Sequence, residues 1–139
     1  MPNNLNVTLD ETKTPWAVDV DQHGKDNEVS QGPNAQTITW QLTGNAASGS
    51  FVALSDPNPG FEWITAPPAG IFSVPSRSPN GNQLTITDTN SGNNNGASTA
   101  GSWTYRLRVN VGGTVYTTKT LSLAATTTDP VIKNKPGGG

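Results

Sequence analysis

The segment that decides the fold is SWTYRLRVNVGGTVYT, residues 102–117. Apolar and polar residues alternate strictly over its first ten positions, with the apolar ones at 103, 105, 107, 109 and 111. A helix of 3.6 residues per turn could not collect five residues spaced by two on one stripe, so the pattern predicts a half-buried β-strand. Gly112-Gly113 then predicts a two-residue hairpin turn, because both central positions of such a turn require φ > 0.

This hairpin sets the register of the strand that returns over residues 114–123. Val111 is expected to pair with Thr114 and Val109 with Tyr116, which turns Tyr116 toward the core. Leu121 and Leu123 fall on the opposite phase from Tyr116. We therefore expect a bulge near residues 118–120 that resets the alternation, the alternative being that the end of the strand faces other neighbours.

Similar alternation recurs nearer the N-terminus. It is found at Leu5–Leu9, Trp16–Asp21, Thr37–Thr43 and Leu84–Thr87, and shorter apolar runs occur at Phe51–Leu54, Phe61–Ile64 and Ile71–Val74. Prolines flank the last of these runs, which predicts an edge strand or an extended connector there. Residues 90–100 contain no apolar residue larger than Ala, so we expect an unanchored loop.

Together these segments predict an all-β protein. The expected fold is an immunoglobulin-like antiparallel β-sandwich of about seven to nine strands with Greek-key connections. A single domain is predicted over residues 1–128, followed by an extended, Pro/Gly-rich tail over residues 129–139.

Composition excludes several classes of protein. The chain of 139 residues has no Cys and a formal charge of −2, and its eight basic residues are scattered. Nucleic-acid binding is not expected, because phosphate binding needs a concentrated basic face. A membrane span is not expected either, because no apolar run approaches about 20 residues. The N-terminus lacks the features of a leader, which predicts a cytoplasmic protein if Met1 is the natural start; a secreted protein whose leader was removed is the open alternative.

Two sets of residues carry a resemblance to known families. Leu84 and Ile86, followed by Gly101, Tyr105 and Leu107, resemble the E and F strands of immunoglobulin-like domains. In that family a cysteine stands two residues after the tyrosine. Leu107 occupies its place here, which implies that buried contact with Ile38 or Trp40 on strand B replaces the disulfide.

The second resemblance is to the DP-EP family of small bacterial β-sandwich proteins. Asp129-Pro130 supplies the first dipeptide of that family, while Lys135-Pro136 stands in place of the second. The other matching positions are Phe61-x-Trp63, Leu84-x-Ile86-x-Asp88, Trp103-x-Tyr105-x-Leu107-Arg108-Val109 and Tyr116. This resemblance implies a fold and no activity.

One stretch invites a metal-site interpretation. Asp19-x-Asp21-x-His23-Gly24 matches the start of an EF-hand loop, but Ser30 stands where the bidentate Glu should be. An irregular calcium site would draw on four residues of this region, Asp19, Asp21, Asp26 and Glu28. A solvated acidic loop is the favoured interpretation, and no cofactor is expected.

Catalytic residues are not expected. His23 is the only histidine, and no Gly-x-Ser-x-Gly motif is present to pair a nucleophile with it. Asp56, Glu62 and Asp88 could supply paired carboxylates for glycoside hydrolysis, but Asp56 and Asp88 stand where turns favour Asp. We therefore predict that the chain is not an enzyme.

The remaining candidates are aromatic and basic side chains. Trp16, Trp40 and Trp103 follow the apolar phase of their segments and are predicted to be buried, whereas the direction of Trp63 is ambiguous. Trp63 is thus the candidate exposed aromatic for a carbohydrate. Arg106 and Arg108, with Lys119, could contact a small anion or a partner, the alternative being a solvated sheet face. The expected function is a non-enzymatic structural or protein-interaction module that self-associates or binds another protein, with carbohydrate binding as the second hypothesis.

Overall fold

The computed structural model describes residues 4–12, 16–21, 27–94, 96–118 and 129–136. Two mixed β-sheets pack together, so the predicted all-β sandwich is confirmed. The strands are β1 (Asn4–Asp10), β2 (Ala17–Val20), β3 (Asn27–Val29), β4 (Gln36–Leu42), β5 (Ser50–Phe51), β6 (Phe61–Trp63), β7 (Ser76–Arg77), β8 (Gln83–Asp88), β9 (Gly101–Val111), β10 (Thr114–Thr117) and β11 (Val131–Asn134). No helix in the described part of the chain has the length and apolarity to cross a membrane.

The first sheet has the strand order β2-β1-β4-β8-β7. Its three longest strands, β1, β4 and β8, bury every second residue, as the alternation predicts. The edge next to β8 is formed by β7, and Phe72 makes an isolated bridge to Asp88 on the same side of β8. The segment Ile71–Val74, predicted as an edge strand or an extended connector, thus contains only an isolated bridge, and the edge strand β7 follows it after Pro75.

The second sheet is organised around β9. The strands β5 and β6 pair with one side of β9. On the other side, the Thr118 N–H donates to the Leu107 carbonyl, and the Tyr105 N–H donates to the Pro130 carbonyl. Both β9 groups point the same way because they are two residues apart. Hence β10 and β11 lie along one edge of β9, and β3 pairs in parallel with β11.

The strand β11 corrects the predicted tail. Val131–Asn134 pairs with β9 and with β3, and Ile132 and Asn134 are buried. The sandwich therefore includes part of the segment predicted to follow it. Val131 and Ile132 are followed by polar residues, and two apolar residues are too short a pattern to predict a strand. The strand is stabilised here because it pairs with a neighbour on each side.

The glycine turn has the predicted geometry. Gly112 and Gly113 have φ values of 62° and 89°. Val111 pairs with Thr114 and Val109 with Tyr116, so the predicted register is confirmed. The expected end of the return strand, including Leu121 and Leu123, lies outside the described residues, as does most of the proposed bulge.

The core lies between the two sheets and includes a hydrogen bond between two large aromatic side chains. Trp40 on β4 donates through Nε1 to the Tyr105 hydroxyl on β9 at 3.0 Å. The ring of Phe61 packs against both of them. Leu107, Ile38 and Trp40 are all fully buried, as the sequence predicts.

Candidate functional site

Trp63 lies in β6 and is half-buried, which corrects the expectation of an exposed side chain. Its ring meets Phe61 edge-on at 5.0 Å between centroids and Phe72 at 4.9 Å. Tyr105 also approaches it at 6.4 Å. Because three rings pack around it, Trp63 belongs to the margin of the core.

Arg106 and Arg108 occupy the outward phase of β9, as predicted, but Arg108 is buried rather than solvated, and both side chains contact carboxylates of the same chain. Arg106 Nη2 lies 2.9 Å from Asp129 Oδ2, and this hydrogen-bonded partner raises the pKa of Arg106. Arg108 Nη1 lies 2.9 Å from Glu62 Oε1 and also donates to the Pro59 carbonyl at 3.1 Å. Their charges are therefore balanced locally. Lys119, the third expected member, lies outside the described residues.

Asp129, which begins the Asp-Pro dipeptide, lies between β10 and β11 in the sequence and contacts a residue directly after β10 and a residue on β9. Its Oδ1 accepts a hydrogen bond from Thr118 Oγ1 at 2.7 Å, while its Oδ2 binds Arg106. Thr118 Oγ1 in turn accepts the Leu107 N–H. Asp129 is thus bonded both to Thr118, which follows β10, and to Arg106 on β9.

The four candidate calcium ligands do not form a described cluster. Asp19 is exposed, and Asp21 Oδ1 accepts the Asn6 N–H at 3.1 Å. Glu28 is exposed and lies 3.9 Å from Lys135 Nζ. Asp26 lies outside the described residues, together with His23. Within the ranges that the structure describes, no group of three or more His, Cys, Asp or Glu side chains could hold a metal ion.

The three carboxylates considered for catalysis have different surroundings. Asp56 is exposed and accepts the Asn58 N–H at 2.9 Å, which confirms the turn role predicted for it. Glu62 is paired with Arg108. Asp88, in contrast, is the last residue of β8 and is 0 % exposed, so the turn role predicted for Asp88 is wrong.

Asp88 belongs to a group of buried polar residues between the sheets, which we call the polar cluster: Asn27, Asp88, Asn90, Thr99 and Asn134. Asn134 Nδ2 donates to Asp88 Oδ1 at 2.9 Å and to the Thr99 carbonyl at 3.0 Å. Burial raises the pKa of Asp88 to about 6, and the hydrogen bond from Asn134 acts in the opposite direction. The cluster therefore contains a carboxyl group in an environment that disfavours its charge.

Part of the polar cluster anchors the loop over residues 90–100, which corrects its expected lack of anchorage. Asn90 Nδ2 donates to the carbonyls of Val29 and Lys135, both at 3.0 Å. Thr99 Oγ1 donates to Asn90 Oδ1 at 2.6 Å and accepts the Gly92 N–H at 2.8 Å. Hydrogen bonds between small polar side chains and backbone thus replace the apolar contacts that this loop lacks.

Trp16 is the exposed tryptophan, and its predicted burial is wrong. Its side chain is 40 % exposed and stacks on Tyr116, with centroids 5.9 Å apart and an interplanar angle of 20°. The strand β2 begins only at Ala17, so the alternation of the strand does not determine the direction of Trp16. Ala17 itself is buried, although its phase predicts an outward side chain.

A signal for the polar cluster is present in the sequence. Asp88 continues the inward phase of Leu84 and Ile86, and Asn134 continues that of Ile132. A polar residue on the inward phase at the end of a strand indicates a buried polar contact, provided that the strand itself is recognised.

No protein-family model matches the chain, and no curated protein matches it.

Proposed function

We propose that this chain is a non-enzymatic protein-interaction module that self-associates through the surface around Trp16. The observation that carries the proposal is the exposure of Trp16, the largest apolar side chain among those that the described residues leave exposed. Tryptophan is enriched among the residues that dominate the binding energy of protein interfaces.

The position of Trp16 favours an interface. It directly precedes β2, the outermost strand of the first sheet, and its stacking partner Tyr116 lies in β10 of the second sheet. The edges of both sheets therefore meet beside one exposed ring. The stack on Tyr116 restricts the indole before binding, which lowers the entropy lost when a partner covers it.

A second copy is the partner that the charge distribution favours. The formal charge of −2 causes little repulsion between copies. The charges of Arg106 and Arg108 are neutralised by carboxylates of the same chain. These two side chains therefore do not favour a strongly acidic partner. A patch that binds its own copy about a twofold axis needs only one such surface.

Membership of the immunoglobulin-like sandwiches is part of the same proposal. The order β4-β8-β7 corresponds to the B-E-D strands of that fold, and β6-β9-β10 corresponds to C-F-G. Tyr105, which Trp40 contacts, stands two residues before Leu107, the residue that the resemblance assigns to the cysteine position of that family. The residues that resemble the DP-EP family of small bacterial β-sandwich proteins support the proposed fold, and they imply no activity.

Carbohydrate binding is the second candidate, and Trp16 is the residue that favours it. Sugar rings stack on exposed aromatic faces, and one face of Trp16 would serve. Trp16 and Tyr116, however, are stacked on each other and so offer a single face. The requirement for two coplanar exposed rings is therefore not met by this pair.

The proposal is tested by the solution mass of the purified protein over a range of concentrations. We expect a mass above that of the monomer, which falls to the monomer value in Trp16→Ser. The control is Val74→Ser, since Val74 is 87 % exposed near the opposite edge of the first sheet and should be dispensable. A monomer at every concentration would contradict self-association. Binding of the wild type, but not of Trp16→Ser, to immobilised polysaccharides would favour the second candidate.

A further inference from the structure

Within the polar cluster, one oxygen atom on each of two described side chains is left without a partner. Among the described residues, Asp88 Oδ2 and Asn134 Oδ1 have no hydrogen-bond partner, although both residues are buried. Asn134 Nδ2 is already shared between Asp88 Oδ1 and the Thr99 carbonyl. The pair therefore presents two acceptor oxygens and has no further donor for either of them.

Asn27 adds a third unpartnered oxygen. It is buried in β3, and neither Asn27 Oδ1 nor Asn27 Nδ2 has a partner in the described part of the chain. The strand pairing places Asn27 opposite Ile132 and Val29 opposite Asn134, so Asn27 and Asn134 are diagonal neighbours on the inward phase. Side chains on the same face of two adjacent strands can approach a shared ion between them.

The rest of the polar cluster shows that this region can satisfy its polar atoms. Asn90 and Thr99 are equally buried, and their side chains are bonded to each other and to backbone groups. The unpartnered oxygens thus gather around Asp88 and the two asparagines. Buried unsatisfied acceptors are rare in folded proteins, and a buried carboxylate without a neighbouring cation is costly.

We propose that Asp88, Asn134 and Asn27 form a buried site for a hard metal cation of the calcium class. Calcium prefers carboxylate and amide oxygens, and it also accepts backbone carbonyls and water in irregular arrangements. A bound cation would compensate the negative charge of the buried Asp88 carboxylate. Because one carboxylate provides the only ligand charge, we expect affinity in the range of about 10⁻⁴–10⁻³ M, typical of weak calcium modules.

The test is the melting temperature of the full chain with and without calcium. At about ten times the dissociation constant, linkage predicts a rise of roughly 4–6 °C for a chain of this size. Asp88→Asn keeps the size of the side chain but removes its charge, and it should abolish the rise. The matched control is Asp21→Asn, which neutralises an acidic residue directly after β2, outside the site, and should leave the rise unchanged.

Terbium luminescence provides a second measurement that does not depend on stability. Trp103 is paired with Ile132, two positions from Asn134, and can sensitise a lanthanide bound at the site. We expect saturable emission that calcium displaces and that Asp88→Asn loses. The proposal is overturned if the wild type shows no calcium-dependent rise, or if Asp88→Asn retains both the rise and the emission. It is equally overturned if Asp21→Asn abolishes them.

Discussion

Leu107→Ala is expected to lower the free energy of unfolding by about 3–5 kcal/mol. Leu107 is 0 % exposed and lies on the inward phase of β9. Its backbone is paired with Phe61 on one side and bonded to Thr118 on the other. Because both neighbouring strands hold the backbone in place, the structure cannot easily close the cavity. The cost should therefore lie in the upper part of the range of about 2–5 kcal/mol for such truncations.

Urea unfolding followed by tryptophan fluorescence measures this cost. With a slope of about 2 kcal/mol per molar urea, the midpoint should fall by roughly 2 M. The control is Val115→Ala on the neighbouring strand β10, where the side chain is 50 % exposed. That change should cost less than about 0.5 kcal/mol. A loss below about 1 kcal/mol for Leu107→Ala, at an unchanged slope, would refute the placement of Leu107 in the core.

Two further predictions concern the glycine turn and the buried carboxyl group. Gly112 has φ of 62°, and a Cβ added there would meet no atom within 4 Å, so only backbone strain matters. Gly112→Asn should leave the urea midpoint nearly unchanged, while Gly112→Val should cost about 1–2 kcal/mol and speed hydrogen exchange at Val109; equal effects of the two changes would argue against the primed turn. Burial raises the pKa of Asp88 from 3.8 to about 6. In the presence of a chelator, its stabilising contribution should be complete below pH 3.8 and be lost as pH rises through about 6, by about 1–3 kcal/mol after allowance for solvent screening. Asp88→Asn should remove this part of the pH dependence in melts between pH 4 and pH 8, and an unchanged profile would contradict the assignment.

Several features of the fold follow from local sequence. The strands β1, β4, β8 and β9 and the turn at Gly112-Gly113 were all predictable. Alternation reports the direction of each side chain relative to its neighbours two positions away. The turn depends on the φ values that two adjacent glycines permit. Both signals are complete within a few residues, so no knowledge of the rest of the chain is needed.

The position of Trp16 marks the limit of that reasoning. Its segment alternates through Val18 and Val20, which predicts burial. The strand begins one residue later, and the indole instead stacks on Tyr116 from the second sheet. The end of a strand is set by where pairing with its neighbour stops, and that neighbour lies elsewhere in the sequence.

The candidate sites were decided by tertiary structure. The sequence alone places Arg106 on the outer face of β9, but it does not show that Asp129, 23 residues later, neutralises it. For Asp88 the sequence predicts a turn role, whereas the structure buries it at the end of β8 with Asn134, 46 residues away, as its partner. Alternation determines whether a side chain points inward or outward. What the side chain meets there depends on how the two sheets pack, and that packing is set by contacts between residues distant in the sequence.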